Sequence, residues 1–201
     1  SILSVLLGVL TTNSVVGQED CDGYRYRYTG SFDAFDVDYG LVYGENVVGG
    51  TSVELDMDVY TPTGDNWDNR PLVVIAHGGF FLSGSNDNLD VVPLCEDLAS
   101  MGYVVASMSY RLLPVDLALE AALSGTLTTE FVKAVWRGVH DSRAAVRFFR
   151  RSVAEFDNPY GIDVNRIYLG GISAGAFIAV HHAYVDDPSE IPADIDVTEE
   201  G

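Results

Sequence analysis

Between Arg166 and Tyr184 the chain reads RIYLGGISAGAFIAVHHAY. An apolar run from Ile167 to Leu169 meets glycines at 170, 171 and 175 around one serine, Ser173, and a helical pattern begins at once. A strand that turns this sharply into a helix constrains the fold. Its apolar faces need cover, and in a chain that repeats the unit the cover is a helix on each face of a parallel sheet.

The rest of the chain repeats the unit. Leu72–Ala76 and the stretch YVVASMSY are continuous apolar runs, the pattern of strands buried on both faces. Pro93–Met101 reads as a helix, with proline in its first turn and Gly102 just past its end. Thr129–Phe156 carries Val132, Val135, Trp136, Val139, Val146 and Phe149 at three- and four-residue steps, which predicts a long helix. Ala174–Tyr184 predicts another, and Arg166–Leu169 a third buried strand. Ser52–Pro62 alternates, with Val53, Leu55, Met57 and Val59 on one face, so it is expected as a half-exposed antiparallel strand at a sheet edge. YRYRYTG and AFDVDYG alternate as strands do. The expected class is α/β, a mostly parallel sheet with helices on both faces.

Charge removes one class of partner. With 30 acidic residues against 11 basic the net charge is −19, and Lys133 is the only lysine. Such a surface repels phosphate backbones, so nucleic acid is not an expected partner. The acidity fits solubility first, with a surface adapted to salt as the alternative.

The first residues, SILSVLLGVLTTNSVVGQ, carry an apolar core from Ile2 to Leu10 that is too short to span a bilayer. A polar break and small residues up to Gly17 follow. Residues 1–17 are expected to be an export signal, with 18–201 belonging to one domain and the mature protein secreted or periplasmic. A buried strand or helix is the competing reading of the same segment. An oxidising compartment would permit a disulfide between Cys21 and Cys95, the only two cysteines. Two unpaired thiols, one of them on a helix, are the alternative.

Ser173 stands in G-x-S-x-G, flanked by Gly171 and Gly175. A turn this tight strains the serine and leaves its neighbours no room for side chains. It exposes the hydroxyl at the carboxyl end of the sheet, where the N–H of Ala174 can face a developing oxyanion. HGGFFLSGS, His77–Ser85, follows the first buried strand, and its paired glycines bare the backbone N–H groups. A nucleophile and oxyanion donors on separate loops are what acyl transfer requires. Adjacent histidines at 181 and 182 face different sides of a helix, and there is no HExxH or paired-cysteine spacing, so no metal site is suggested. No phosphate loop is present, and no cofactor is expected.

HGGFF, SYRLLP and GISAGA, in this order, resemble the α/β-hydrolase fold, and within it the carboxylesterase and lipase branch with an HGG oxyanion loop, near secreted bacterial carboxylesterases and feruloyl or acetylxylan esterase-like proteins. The resemblance runs from about Leu55 to Asp187, and Asp141 and RAAVRFF fit it. It implies that Ser173 is the nucleophile acting on a small-molecule ester. It further implies that the N–H groups of Gly79, Phe80 and Ala174 form the oxyanion hole, with His77 and Gly78 supporting the loop. Lipase-like members often carry a third glycine where this chain has Phe80, which implies a narrower acyl pocket.

In this fold the order is nucleophile, acid, then histidine. After Ser173 come only His181 and His182, roughly 12 Å along a helix that runs away from the serine. His77 and His140 have the wrong place in the chain, and Asp186, Asp187, Asp194 and Asp196 come too early. The triad acid and histidine, with the last strands of the sheet, are therefore expected outside these residues. The 201 residues alone are expected to be inactive and poorly stable. A peptidase of the prolyl oligopeptidase type shares the fold, but its nucleophile sequence usually continues with glycine where this chain has Ala176. A non-catalytic module on the same fold is the third reading.

Overall fold

A computed structural model describes residues 25–185 and 187–191. The chain runs β1 (Phe35–Val48), β2 (Thr51–Pro62), β3 (Arg70–Ala76), α1 (Val92–Ser100), β4 (Val104–Met108), α2 (Val115–Ser124), α3 (Leu127–Glu155), β5 (Ile162–Gly171) and α4 (Ala174–Tyr184). The sheet order is β1-β2-β4-β3-β5. β4, β3 and β5 are parallel, while β2 pairs antiparallel with both β1 and β4. The expected α/β architecture is the one observed; among the described residues its sheet is mixed, with two parallel and two antiparallel pairings where a mostly parallel sheet was expected.

Period-two alternation divides the core. Leu72, Val74 and Ala76 of β3, with Val104, Ala106 and Met108 of β4, join the larger cluster, to which Ala134, Val139 and Phe149 of α3 and Ile178 of α4 belong. Ile75 and Val105 point the other way and meet Cys95 and Ala99 of α1. Covered on both sides, these two strands need apolar residues at every position, which is why they read as unbroken runs.

Four expectations are corrected. β2 is not an edge strand, because β1 covers its outer side. Nor is its second face exposed throughout: Asp58 and Tyr60 are 3% exposed, since α1 packs against that end of the strand. β5 is only partly buried, with Tyr168 54% exposed, because among the described residues β5 is the sheet edge. Residues 25–30 form turns and not a strand. There the Arg25 guanidinium lies 4.6 Å from the Trp67 ring centroid and 5.1 Å from that of Phe32, and pairs with Asp65. That cage of long-range contacts holds the chain in a bend.

Behind the site stands one polar brace. Arg111, just after β4, and Asp141, in the middle of α3, are both fully buried. The Arg111 N–H donates to Asp141 Oδ2 at 2.9 Å, and the guanidinium lies 2.8 Å from Oδ1. Arg111 also donates to the carbonyl of Val47 at 2.7 Å. The SYRLLP segment is thereby tied to α3 and to the far end of β1.

Candidate active site

β5 ends at Gly171 and α4 begins at Ala174, so Ser173 occupies the turn at φ 52°, ψ −110°. This is unfavourable backbone for a residue with a Cβ, costing of order 1–3 kcal/mol, and it persists only because the surroundings enforce it. The surroundings are main chain. A Cβ on Gly171 would fall 2.2 Å from the carbonyl carbon of Gly175, and one on Gly175 would fall 2.1 Å from the carbonyl oxygen of Ala76. Both glycines are dictated by contact. Ser173 is exposed and its side chain makes no capping bond. Gly175 and Ala176 donate back to Ile172 and Ser173. The N–H of Ala174, at the positive end of α4, has no acceptor among the described residues.

The HGG loop lies directly opposite. A Cβ on Gly78 would lie 3.5 Å from that of Ser173. Successive peptide planes of the loop are each held by one or more hydrogen bonds. The carbonyl of Gly78 accepts from His77 Nδ1 at 2.6 Å. In a trans peptide the C=O and the next N–H point opposite ways, so this bond aims the Gly79 N–H away from the imidazole. The Gly79 carbonyl accepts from Leu82 and Ser83 at 3.0 and 3.1 Å, which in turn directs the Phe80 N–H. Neither N–H has an acceptor among the described residues. Gly79 (φ 125°), Phe80 (φ 57°) and Phe81 (φ 61°) all hold left-handed backbone, so strain is concentrated on both sides of the site.

Ser173 and Ala174 line an open pocket of about 400 Å³ whose other walls are Phe80, Phe81, Thr128, Phe131, Val132, Val135 and Phe177. Phe80 stands at its mouth, 73% exposed. Val132 and Val135, which spacing alone assigns to the core face of α3, are pocket wall. An apolar residue beside a cleft looks the same in sequence as one beside the core, so Phe131 and Phe177 carry no signal either.

All four histidines lie among the described residues. His77 is fully buried, stacked on Tyr110 with ring centroids 4.3 Å apart, and burial pushes its pKa below the ordinary value. It supports the loop as a neutral ring, Nδ1–H donating to Gly78. His181 Nδ1 lies 2.8 Å from the Phe177 carbonyl, one turn back on α4. His182 Nδ1 lies 2.7 Å from Ser142 Oγ, joining α4 to α3. His140 lines a separate polar hollow with Arg143 and Arg147. Asp187 accepts the Ser189 N–H in a short turn, while Asp186, Asp194 and Asp196 lie outside the described residues. Cys95 is fully buried and has no disulfide partner among the described residues, and burial pushes its thiol pKa up to about 12; Cys21, its expected partner, and the segment 1–17 lie outside the described residues. No helix among the described residues is long and apolar enough to cross a membrane.

His182 gives a pH-dependent expectation. Burial, then the nearby Arg143 and Arg150, lower its pKa, so the folded protein holds it neutral. The unfolded chain takes up that proton below about pH 6.5. Its contribution is therefore complete above that pH and drains away as the pH falls. Melting temperatures measured from pH 8 to pH 5 should fall less steeply in His182→Gln than in the wild type; parallel profiles would contradict this assignment. His77 acts with the same sign, so the slope is reduced and not abolished.

Esterase-5C of Drosophila miranda is 26% identical over 164 residues, which are 77% of this chain and 27% of that esterase. Esterase-5A of Drosophila persimilis is 27% identical over 161 residues, 76% of this chain and 26% of its own length. The chain thus spans about a quarter of the curated relatives it matches. Among solved structures, native Est2, an esterase of the planctomycete Thermogutta terrifontis, is 25% identical, with 78% of this chain and 47% of that one covered at a TM-score of 0.49. Its butyrate-bound form is 26% identical over 73% of this chain and 43% of that one, also at 0.49. Residues 57–200 match the family model BD-FAE. With most of its length in that match, the chain belongs to the BD-FAE family, on the α/β-hydrolase fold.

Proposed function

We propose that this chain carries the nucleophile and oxyanion hole of a serine carboxylic-ester hydrolase. The observation that carries the reading is Ser173: an exposed hydroxyl on strained backbone, opposite the HGG loop and at the edge of an apolar pocket. Ser173 Oγ attacks the ester carbonyl and gives its proton to a general base. The oxyanion that forms accepts hydrogen bonds from the N–H groups of Gly79, Phe80 and Ala174. Collapse expels the alcohol, which takes the proton back, and leaves an acyl-serine that water hydrolyses by the same route. The apolar walls favour an apolar acyl group. Since each of the four histidines is placed elsewhere, the base is assigned to a residue outside those described, together with the acid that orients it. The export reading of residues 1–17, and with it a secreted or periplasmic location, belongs to this proposal and rests on residue pattern alone.

The oxyanion loop supplies the test. A side chain at position 79 would meet the Ser83 carbonyl oxygen at 1.9 Å, on backbone where only glycine is at ease. Gly79→Val must therefore displace the loop. In the full-length protein, turnover of a short-chain nitrophenyl ester should fall by a factor of about a hundred or more, the usual loss for one oxyanion donor. A fall of less than threefold would remove this loop from the reaction.

A further inference from the structure

Gly78 is the joint on which the oxyanion loop would swing. It has no side chain, so sterics restrain its two torsions little, and rotation there would turn the Gly78–Gly79 peptide and carry the Gly79 N–H out of line. His77 holds the peptide on its far side. The peptide on its near side, His77–Gly78, is held at both ends. Its carbonyl accepts from the Tyr110 hydroxyl at 2.9 Å. Its N–H donates to Asp90 Oδ2 at 3.1 Å. Tyr110 belongs to the packed core, 3% exposed, whereas Asp90 reaches in from the exposed turn ahead of α1.

We propose that Asp90 is a positioning residue for the oxyanion hole: its carboxylate clamps the Gly78 N–H and so fixes the direction in which the Gly79 and Phe80 N–H groups point. The inference rests on the reading of Ser173 as nucleophile. Three observations carry it. A hydrogen bond to a carboxylate is about twice as strong as a neutral one, which suits a clamp at an exposed position. The loop it restrains is strained at two consecutive residues, Phe80 and Phe81, and needs external restraint to persist. The carboxylate also comes close: Asp90 Oδ2 is 2.9 Å and Ser173 Cβ 3.5 Å from the point where a Gly78 side chain would begin. Glycine at 78 is thus required for the carboxylate to reach the backbone.

The role is that of an acceptor, so an amide should replace the acid. In the full-length protein, Asp90→Ala is expected to lower kcat for a nitrophenyl ester at least tenfold with KM within about twofold. Asp90→Asn, which keeps an oxygen in place, should stay within about threefold of wild type. Affinity for an aryl trifluoromethyl ketone, whose serine adduct places an oxyanion in the hole, should fall in Asp90→Ala in step with kcat. A merely structural loss would lower the amount of folded enzyme without this split, so rates are taken per active site titrated with a fluorophosphonate. Asp90→Ser, too short to reach Gly78, repeats the test should the alanine variant not fold. The proposal is overturned if both short variants keep kcat within threefold, if KM rises in step with the loss, or if Asp90→Asn is as impaired as Asp90→Ala. Ser173→Ala, run alongside, separates the two readings: activity surviving in that variant overturns the nucleophile itself, whereas its loss beside an unaffected Asp90→Ala overturns only the clamp.

Discussion

Alanine in place of Ser173 should reduce ester hydrolysis by a factor on the order of 10⁶, the scale seen when a nucleophile of this kind is removed from its triad. The fold should not register the change. The side chain is exposed and caps no helix N–H, and the main-chain contacts that enforce the turn run through Gly171, Gly175 and Ala76. The measurement is nitrophenyl ester hydrolysis by the full-length protein, with thermal melting as the control. Activity near wild type would sink the proposed mechanism, and a collapse of the melting temperature would show that the hydroxyl has a structural task after all.

The second large effect concerns stability. Asp141→Ala leaves the Arg111 guanidinium fully buried without its carboxylate. Removing one partner of a buried pair typically costs about 3–5 kcal/mol, because the other charge stays desolvated. Against a total of about 5–15 kcal/mol for a domain, this should move the urea midpoint far down or prevent folding altogether. Replacing both members with apolar residues of similar size, Arg111→Met with Asp141→Leu, should recover much of the loss, since neither charge then needs solvating. A single variant with an unchanged midpoint would show that water or another group takes over the carboxylate's role.

Legibility from sequence divided along physical lines. β3, β4 and α4 were plain because a strand buried on both faces, or a helix entered from a tight turn, imposes its pattern on every residue. α2 gave no usable pattern. Val115, Leu119 and Leu123 are 71%, 61% and 83% exposed, so its apolar residues do not mark a buried face. The partial exposure of β5 leaves no mark in its own residues, because Ile167 and Leu169 read the same whether a strand has one neighbour or two; it follows only from expecting the last strands of the sheet elsewhere. The glycines at 78, 79, 171 and 175 and the serine between them could be placed from spacing, since close backbone approach leaves glycine as the only choice. Asp90 and Tyr110 could not. Each acts through one long-range bond to main chain, and a bond of that kind leaves no period or spacing behind.

The contact between Gly175 and the end of β3 has a mechanical meaning. Gly175 follows the serine by two residues; Ala76 and His77, whose carbonyls it touches, open the HGG loop. The candidate nucleophile and the start of the donor loop are therefore coupled backbone to backbone, and the Gly79 and Phe80 donors beyond them are held through the bonds that Tyr110, Asp90 and His77 make on either side of Gly78. The pocket walls are different: Phe80, Phe131 and Phe177 hang from the frame as side chains, outside that contact. Reshaping them would change what enters without disturbing how it is attacked, so divergence in substrate choice can proceed on this frame by single substitutions while its reactive geometry stays rigid.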